Sequence, residues 1–300
     1  MKDKVALFYN PVAGMGKFKY RLDDVIKYLQ TAGLQVVPRR IENNNKIIEL
    51  TDRMNPEEYH TVVAAGGDGT IHGVVNAMMH SKLDLPLAIF PEGTSNDVAR
   101  YMNIPCQVKE YCRIITDGQL TGIDLGQVNE KYIINVASAG FLTDTAHEVT
   151  HHLKNALGKV AYYLKVVEKL PQMRPLHLWL TVDDQKFEMD ILLFLVLNGG
   201  SAAGLKEMLP SGTISDGMLD FLAFKPAPPI GGLDRLLVNY TRGQLLKDEN
   251  VFYCQGREFK LELNPAAATD LDGERGPALP WTIKVVPNAI QLRTPASPRR

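Results

Sequence analysis

Three hundred residues with 45% apolar and 22% charged side chains describe a globular chain long enough for one large domain or two ordinary ones. A formal net charge of −1 leaves no electrostatic footprint for nucleic acid, so a nucleic-acid partner is not expected. Cys106, Cys112 and Cys254 form no C-x-x-C pair and no even framework, which argues against a zinc ribbon and for a reducing, cytoplasmic setting.

The opening residues, Met1-Lys2-Asp3-Lys4-Val5, read as the start of a strand and not as a secretory signal. Val5 to Tyr9 is the first strand, and Asn10 to Lys17 is a turn-rich loop. Leu22, Val25, Ile26 and Leu29 share one helix face, and Gly33 closes that helix. Leu34 to Val37 is the second strand, and Asn43-Asn44-Asn45 caps another helix. Val62-Val63-Ala64-Ala65 is a buried strand, and Gly66-Gly67-Asp68-Gly69-Thr70 is a tight turn. Ile71, Val74, Val75, Met78 and Met79 follow at helical spacing. Leu87 to Phe90 is the next strand, and Pro91 to Asp97 the next loop.

Alternating strands and helices imply a parallel sheet, whose ligands bind beyond the carboxyl ends of its strands. The loops near Gly14, Gly67 and Gly93 all fall at that edge. A helix start offers open amides to an anion, and glycines let phosphate approach the backbone. Asp68 inside such a turn would repel phosphate without a cation between them, which points to Mg²⁺. The spacing fits neither common nucleotide motif. His72 stands where a dinucleotide fingerprint wants its third glycine, and Pro11 and Phe18 break the P-loop pattern around Gly16-Lys17.

After about Asp124 the pattern changes. Tyr132 to Ala137, Leu176 to Val182, Ile191 to Leu197, Leu219 to Phe224, Phe259 to Leu263 and Thr282 to Val286 read as strands with few helices between. One long helix is expected over His147 to Leu170. Ile191 to Leu197 is the longest apolar run and is too short to cross a bilayer, so a soluble protein is expected. The fold class is thus α/β plus all-β: an N-terminal parallel-sheet domain over 1–124, and a C-terminal antiparallel β-sandwich over 125–287. The cleft between them is the default active site, and 295–300 reads as a disordered tail. His147-Glu148-Val149-Thr150-His151 is a literal H-E-x-x-H on the long helix, but Lys154-Asn155 stand where the metzincin glycine belongs. Its plainer reading is a polar helix face shared with His152.

Six short motifs occur in order along nearly the whole chain. They are Asn10-Pro11 with Gly14 (NPxxG), Gly66 to Thr70 (GGDGT), Gly93 to Arg100 (GTxNDxAR), Asp124-Leu125-Gly126 (DxG), Asp216 to Asp220 (DGxLD) and Asp272-Gly273-Glu274 (DGE). In this the chain resembles the diacylglycerol kinase catalytic family, the soluble bacterial diacylglycerol kinases and related lipid kinases. NAD kinases share GGDG but should lack the GTxNDxAR segment.

The resemblance implies an ATP- and Mg²⁺-dependent phosphoryl transfer to a lipid hydroxyl, giving phosphatidic acid when the lipid is diacylglycerol. It implies that Asn10, Pro11, Val12, Ala13 and Gly14, the stretch Gly66, Gly67, Asp68, Gly69, Thr70, Ile71 and His72, and Thr94 hold the nucleotide. It assigns Asp68 to Mg²⁺, Asp97 and Asp124 to the same acidic network, one that joins the two domains, and Glu274 to the general base. A structural Mg²⁺ would sit on Asp216 and the carbonyls of Thr213 and Met218. The last strand, over 288–294, would return to the first domain.

The family's usual hydroxyl contact after the second strand is missing; Arg40 either replaces it or is solvated surface. A soluble enzyme acting on a lipid needs peripheral contact with the inner face of the membrane. Lys17, Lys19, Arg21, Arg100, Lys154, Lys159 and Lys165 are the candidate docking charges. A homodimer is also open, as is a non-catalytic lipid or nucleotide sensor, against which Asp68, Asp97 and Glu274 argue.

Overall fold

The computed structural model describes residues 2–41, 44–140, 174–199, 213–226, 235, 238–239 and 242–296. The helix expected over 147–170, the H-E-x-x-H stretch, Lys154, Lys159, Lys165 and the last four residues of the tail lie outside the described residues. The chain divides into two compact units, Met1–Leu125 with Pro287–Arg300, and Gly126–Val286.

The first unit alternates strands and helices: β1 (Lys4–Tyr9), α1 (Leu22–Thr31), β2 (Gln35–Arg40), α2 (Asn44–Asp52), β3 (Tyr59–Gly66), α3 (Asp68–His80), β4 (Leu87–Pro91), α4 (Asp97–Tyr101) and α5 (Val108–Asp117). Its strands pair in parallel in the order β2-β1-β3-β4. Val62, Val63, Ala64 and Ala65 are fully buried, as a central strand covered on both faces requires. β2 runs three residues further than its apolar residues suggest, through Pro38 to Arg40, which pairs with Tyr9. Proline is tolerated there because β2 is the edge strand. β5 (Gln119–Val128) runs out of this unit towards the second.

The second unit contains β6 (Lys131–Ile133), β7 (Val136–Gly140), β8 (Leu176–Val182), β9 (Gln185–Ile191), β10 (Leu193–Leu197), β11 (Leu219–Phe224), β12 (Val251–Gly256), β13 (Glu258–Asn264), β14 (Thr269–Leu271), β15 (Glu274–Arg275) and the start of β16 (Trp281–Thr294). One antiparallel sheet runs β12-β11-β10-β7-β14-β15, and the first part of β16 pairs antiparallel with β13, followed by β8 and β9. Leu178, Leu180, Phe259, Leu261, Trp281 and Ile283 share one buried cluster with Phe194, Val196, Phe221 and Ala223. Phe194 lies 5.6 Å from Phe221 and meets Trp281 edge-on at 5.8 Å. Two facing sheets with a common core make the β-sandwich that the alternating strands predict.

Two runs read as single strands are broken. Ile191 to Leu197 turns at Leu192, whose N–H donates to Phe224: β9 belongs to one sheet and β10 to the other. The longest apolar run is therefore a corner of the sandwich, apolar because both of its halves are buried. Tyr132 to Ala137 is interrupted between Ile133 and Val136. Thr282 to Val286 and Ala289 to Leu292, by contrast, are one long strand, β16, whose Leu292 pairs in parallel with Leu87 of β4. No helix among the described residues is long and apolar enough to cross a membrane.

Candidate functional site

In the first unit the chain leaves β1 outward to β2 and returns on the other side to β3, so the strand order reverses between β1 and β3. Open parallel sheets bind ligands beyond the carboxyl ends of their strands at such a reversal. Three loops meet that description here, those after β1, β3 and β4.

The first loop leaves β1 with the Asn10 N–H donating to Ala65 at 3.0 Å. The Asn10 carboxamide oxygen accepts the Val12 N–H at 3.0 Å, so this side chain shapes its own turn. Two short 3₁₀ turns follow, Ala13–Gly16 and Phe18–Tyr20. Phe18 pins them down, fully buried 5.1 Å from Phe90 and 5.7 Å from Tyr9. Gly14 has φ +55, and a Cβ there would fall 2.0 Å from the Glu92 carbonyl oxygen.

The second loop starts α3 at Gly67, whose carbonyl accepts the N–H groups of Thr70 and Ile71. Thr70 folds its side chain back against Gly66. The third loop is tied to the second by a close backbone approach and by the Asp68 carboxylate, and Asn96 braces it from within. Gly93 and Gly67 approach so closely that a Cβ on Gly93 would sit 2.5 Å from the Gly67 Cα. Asn96, in the left-handed region at φ +51, grips Gly93 through both halves of its carboxamide at 2.8 Å. The Asp68 carboxylate accepts the N–H groups of Asn96 and Asp97, each at 2.9 Å. Arg100 donates to the Thr94 carbonyl at 3.1 Å.

These contacts give three of the glycines a packing part. At Gly14 and Gly93 the missing Cβ admits backbone of a neighbouring loop, and at Gly66 it admits the Thr70 side chain of the same turn. What remains for an anion is the start of α3, a helix of 13 residues whose N-terminal turn carries a partial positive charge. Ile71 and His72 are buried, and the Ile71 N–H donates to the Gly67 carbonyl at 3.1 Å. Pro11 and Gly69 are half-buried beside the more exposed Val12 and Thr94, and Arg40 is exposed at the end of β2, the same sheet edge. Asp97 is 9% exposed at the start of α4. Asp124 is 3% exposed on β5 and accepts the Asn288 N–H at 2.7 Å.

The second unit holds the remaining candidates. The Asp272 carboxylate accepts three successive N–H groups, of Ile134, Asn135 and Val136, at 2.8 to 2.9 Å. The first two of these amides lie in the break between β6 and β7 and the third opens β7, so the interruption of that apolar run and the anchoring of the DGE turn have one cause. The Gly273 N–H donates to Asp270 at 2.8 Å, and Glu274 follows, exposed on β15. Asp216 closes a small turn by accepting the Met218 N–H at 3.0 Å, and Thr213 is exposed just before it. Asp220 is buried, which raises its pKa; the Tyr253 hydroxyl donates to it at 2.7 Å, and both burial and that carboxylate raise the tyrosine's pKa in turn.

Sequence reasoning missed Glu92, Asn96 and Asp272 as positioning side chains. Asn96 and Asp272 stand inside the motifs, and the signal for Glu92 is an acidic residue at the end of an apolar strand. Among the described residues no group of three or more His, Cys, Asp or Glu gathers to hold a metal. The carboxylate of Asp68 and the set of Asp216 with the Thr213 and Met218 carbonyls supply oxygen donors alone, the kind a hard cation takes.

Two family profiles cover the chain: the diacylglycerol kinase catalytic domain matches residues 4–128, and the YegS C-terminal NAD kinase beta sandwich-like domain matches 135–294. The chain belongs to the diacylglycerol kinase family. A diacylglycerol kinase of Bacillus subtilis is 32% identical over 278 residues, 92% of this chain and 91% of its own. One from Staphylococcus saprophyticus is 30% identical over 295 residues, 98% of this chain and 96% of its own. A crystal structure of a Bacillus anthracis diacylglycerol kinase superposes with a TM-score of 0.78 at 23% identity, covering 97% of each chain, and supports the fold. As a member of the diacylglycerol kinase family the chain is a lipid kinase, a phosphotransferase.

Proposed function

We propose that this kinase transfers the γ-phosphoryl group of ATP to the hydroxyl of diacylglycerol or a similar lipid, giving phosphatidic acid. The observation that carries the nucleotide half is the knot of three loops at the sheet's reversal point: Gly14 against Glu92, Gly67 against Gly93, and Asp68 across to Asn96 and Asp97. Phosphoryl transfer asks for positioning and charge neutralisation more than covalent chemistry, and a fixed loop cluster beside a helix start supplies positioning. The amides that open α3 ahead of Thr70, and the Thr94 hydroxyl, bind phosphate oxygens. Asp68, with Asp97 and Asp124 as its acidic neighbours in the motif set, holds Mg²⁺, which when bound neutralises charge on the phosphates. Glu274 takes the proton of the lipid hydroxyl. A second Mg²⁺ on Asp216, Thr213 and Met218 stiffens a turn and takes no part in transfer.

The first loop also suits peripheral contact with an anionic bilayer at the inner face of the membrane. Val12 and Tyr20 are each 77% exposed, Lys17 and Lys19 are exposed beside them, and the Lys19 ammonium lies 4.9 Å from the Tyr20 ring centre.

The deciding experiment is labelled-ATP turnover on mixed micelles containing diacylglycerol, beside other lipid alcohols and NAD, with Glu274→Gln in parallel. Phosphatidic acid that forms in the parent and collapses in the variant establishes donor, acceptor and base together. Phosphorylation of NAD instead would overturn the lipid acceptor. Bound ATP with no transfer to any acceptor would favour the sensor.

A further inference from the structure

Glu92 does not belong to any of the six motifs, yet from the third loop it contacts both of the others. Its N–H donates to the Gly66 carbonyl at 2.9 Å, fastening it to the second loop. Its own carbonyl is the surface on which Gly14 of the first loop rests. Its side chain, 5% exposed, receives the Arg21 guanidinium at 2.6 Å, and Arg21 is the residue that ends the first loop and opens α1. Nearby lies an aromatic wall: Phe90, two residues earlier, contacts Phe18 at 5.1 Å and Tyr111 at 3.7 Å. A carboxylate so deep beside such a wall needs a partner, because an unpaired buried charge is strongly destabilising.

The first loop has few other holds. Val12 and Tyr20 point into solvent, and among the described residues Phe18, the Asn10 backbone and the Glu92 contacts seat it. We infer that the Arg21–Glu92 ion pair is a positioning clasp for nucleotide binding: it holds the Asn10–Lys17 loop against the loops that start at Gly66 and Gly93. Neither residue need touch the nucleotide. The inference rests on the nucleotide reading of this edge and adds to it the pair that keeps the edge assembled.

A clasp has a kinetic signature that general loss of structure lacks. Arg21→Ala leaves the buried Glu92 carboxylate uncompensated, so the loop it carries shifts. Arg21→Ala combined with Glu92→Gln removes that charge and restores part of the seating, so the double variant binds better than the single one. The test is affinity for a fluorescent ATP analogue, with KM for ATP and kcat measured beside it on the full chain.

Arg21→Ala is expected to weaken binding about tenfold and raise KM to match, with kcat within about twofold, the pattern of lost ground-state positioning. Arg21→Lys, which keeps the charge, stays near the parent. Lys4→Ala, which breaks the Lys4–Glu58 pair at the opposite end of β1, leaves affinity unchanged and controls for stability. Arg21→Ala with parental affinity, or a double variant no better than Arg21→Ala, overturns the clasp. A parent that binds no nucleotide overturns the underlying reading as well, and the two failures are told apart by the parent alone.

Discussion

The Asp68 carboxylate accepts the backbone N–H of Asp97 at 2.9 Å, so the acid of the GGDGT motif holds the start of the helix that carries the acid of GTxNDxAR. Its other oxygen takes the Asn96 N–H at the same distance. Asp68 therefore has two tasks, building the loop and presenting negative charge, and substitutions separate them. Asp68→Ala removes both and is expected to cost about 1–2 kcal/mol of stability, the range for a lost helix cap. Asp68→Asn keeps one acceptor and loses the charge. Its stability should fall by less than half as much, while ATP turnover drops roughly a hundredfold. Urea midpoints beside labelled-ATP assays read the two effects. A fully active Asp68→Asn would deny the carboxylate any part in transfer.

The contact of Gly67 with Gly93 predicts a graded pair of variants. A Cβ on Gly93 would sit 2.5 Å from the Gly67 Cα and 2.7 Å from the Asn96 carboxamide oxygen, both too short to keep. A Cβ on Gly67 would meet the Gly93 Cα at 3.2 Å, which a shift of a few tenths of an ångström relieves. Gly93→Ala should therefore destabilise by about 1–3 kcal/mol, in the range of overpacked sites, and Gly67→Ala by less than about 1 kcal/mol. Chemical denaturation of the two side by side checks the order, and the reverse order would mean that the loops do not meet in this way.

Asp272 anchors its turn more heavily than its Asp-Gly sequence suggests. It sits at φ +54 and takes three backbone N–H groups. Asparagine tolerates that backbone but replaces one acceptor with a donor that faces N–H groups. Asp272→Ala is expected to cost about 3 kcal/mol and Asp272→Asn less. Since Glu274 follows two residues later, transfer should fall in the same order. Thermal midpoints and turnover on the same preparations test it; an Asp272→Ala protein as stable as the parent would remove the anchoring role.

How far these relationships were legible beforehand depends on their range along the chain. Local pattern reveals β3 and α3, because Val62 to Ala65 is a continuous apolar run of strand length and Ile71 to Met79 follow the helical period. The motif series marks Asp68, Asp97 and Asp272 as residues of interest. It cannot show that Asp68 reaches residues 28 and 29 positions away, or Asp272 amides 136 to 138 positions away. The same limit explains Gly14 and Gly93, whose glycine requirement comes from the other loop. It also explains Leu192, where a continuous apolar run turns a corner because its halves join different sheets. The apolar residues of β2 end at Val37, and pairing along β1 carries the strand on through Arg40.

Two histidines should pull the pH dependence of stability in opposite directions. His60 is half-buried with its ring 2.9 Å from the Arg293 guanidinium and 3.2 Å from the Ile115 carbonyl. Burial first, then the arginine's charge, lowers its pKa; the carbonyl opposes them. The folded state thus resists protonating it. Below about pH 6.5, where the unfolded chain takes up that proton, the difference costs stability. His177 lies between Asp190 and Glu188, each 2.8 Å from one ring nitrogen, and hydrogen bonds to these carboxylates raise its pKa. Its contribution is fully present below about pH 6.5 and is lost as pH rises through the folded value. His60→Gln should flatten the acid limb of a stability profile between about pH 5 and 8 and leave the other limb alone. His177→Gln should remove stability on the acid side and so flatten the decline toward alkaline pH. Urea midpoints across that range for both variants decide the matter, and the same change of slope in both would refute the assignment.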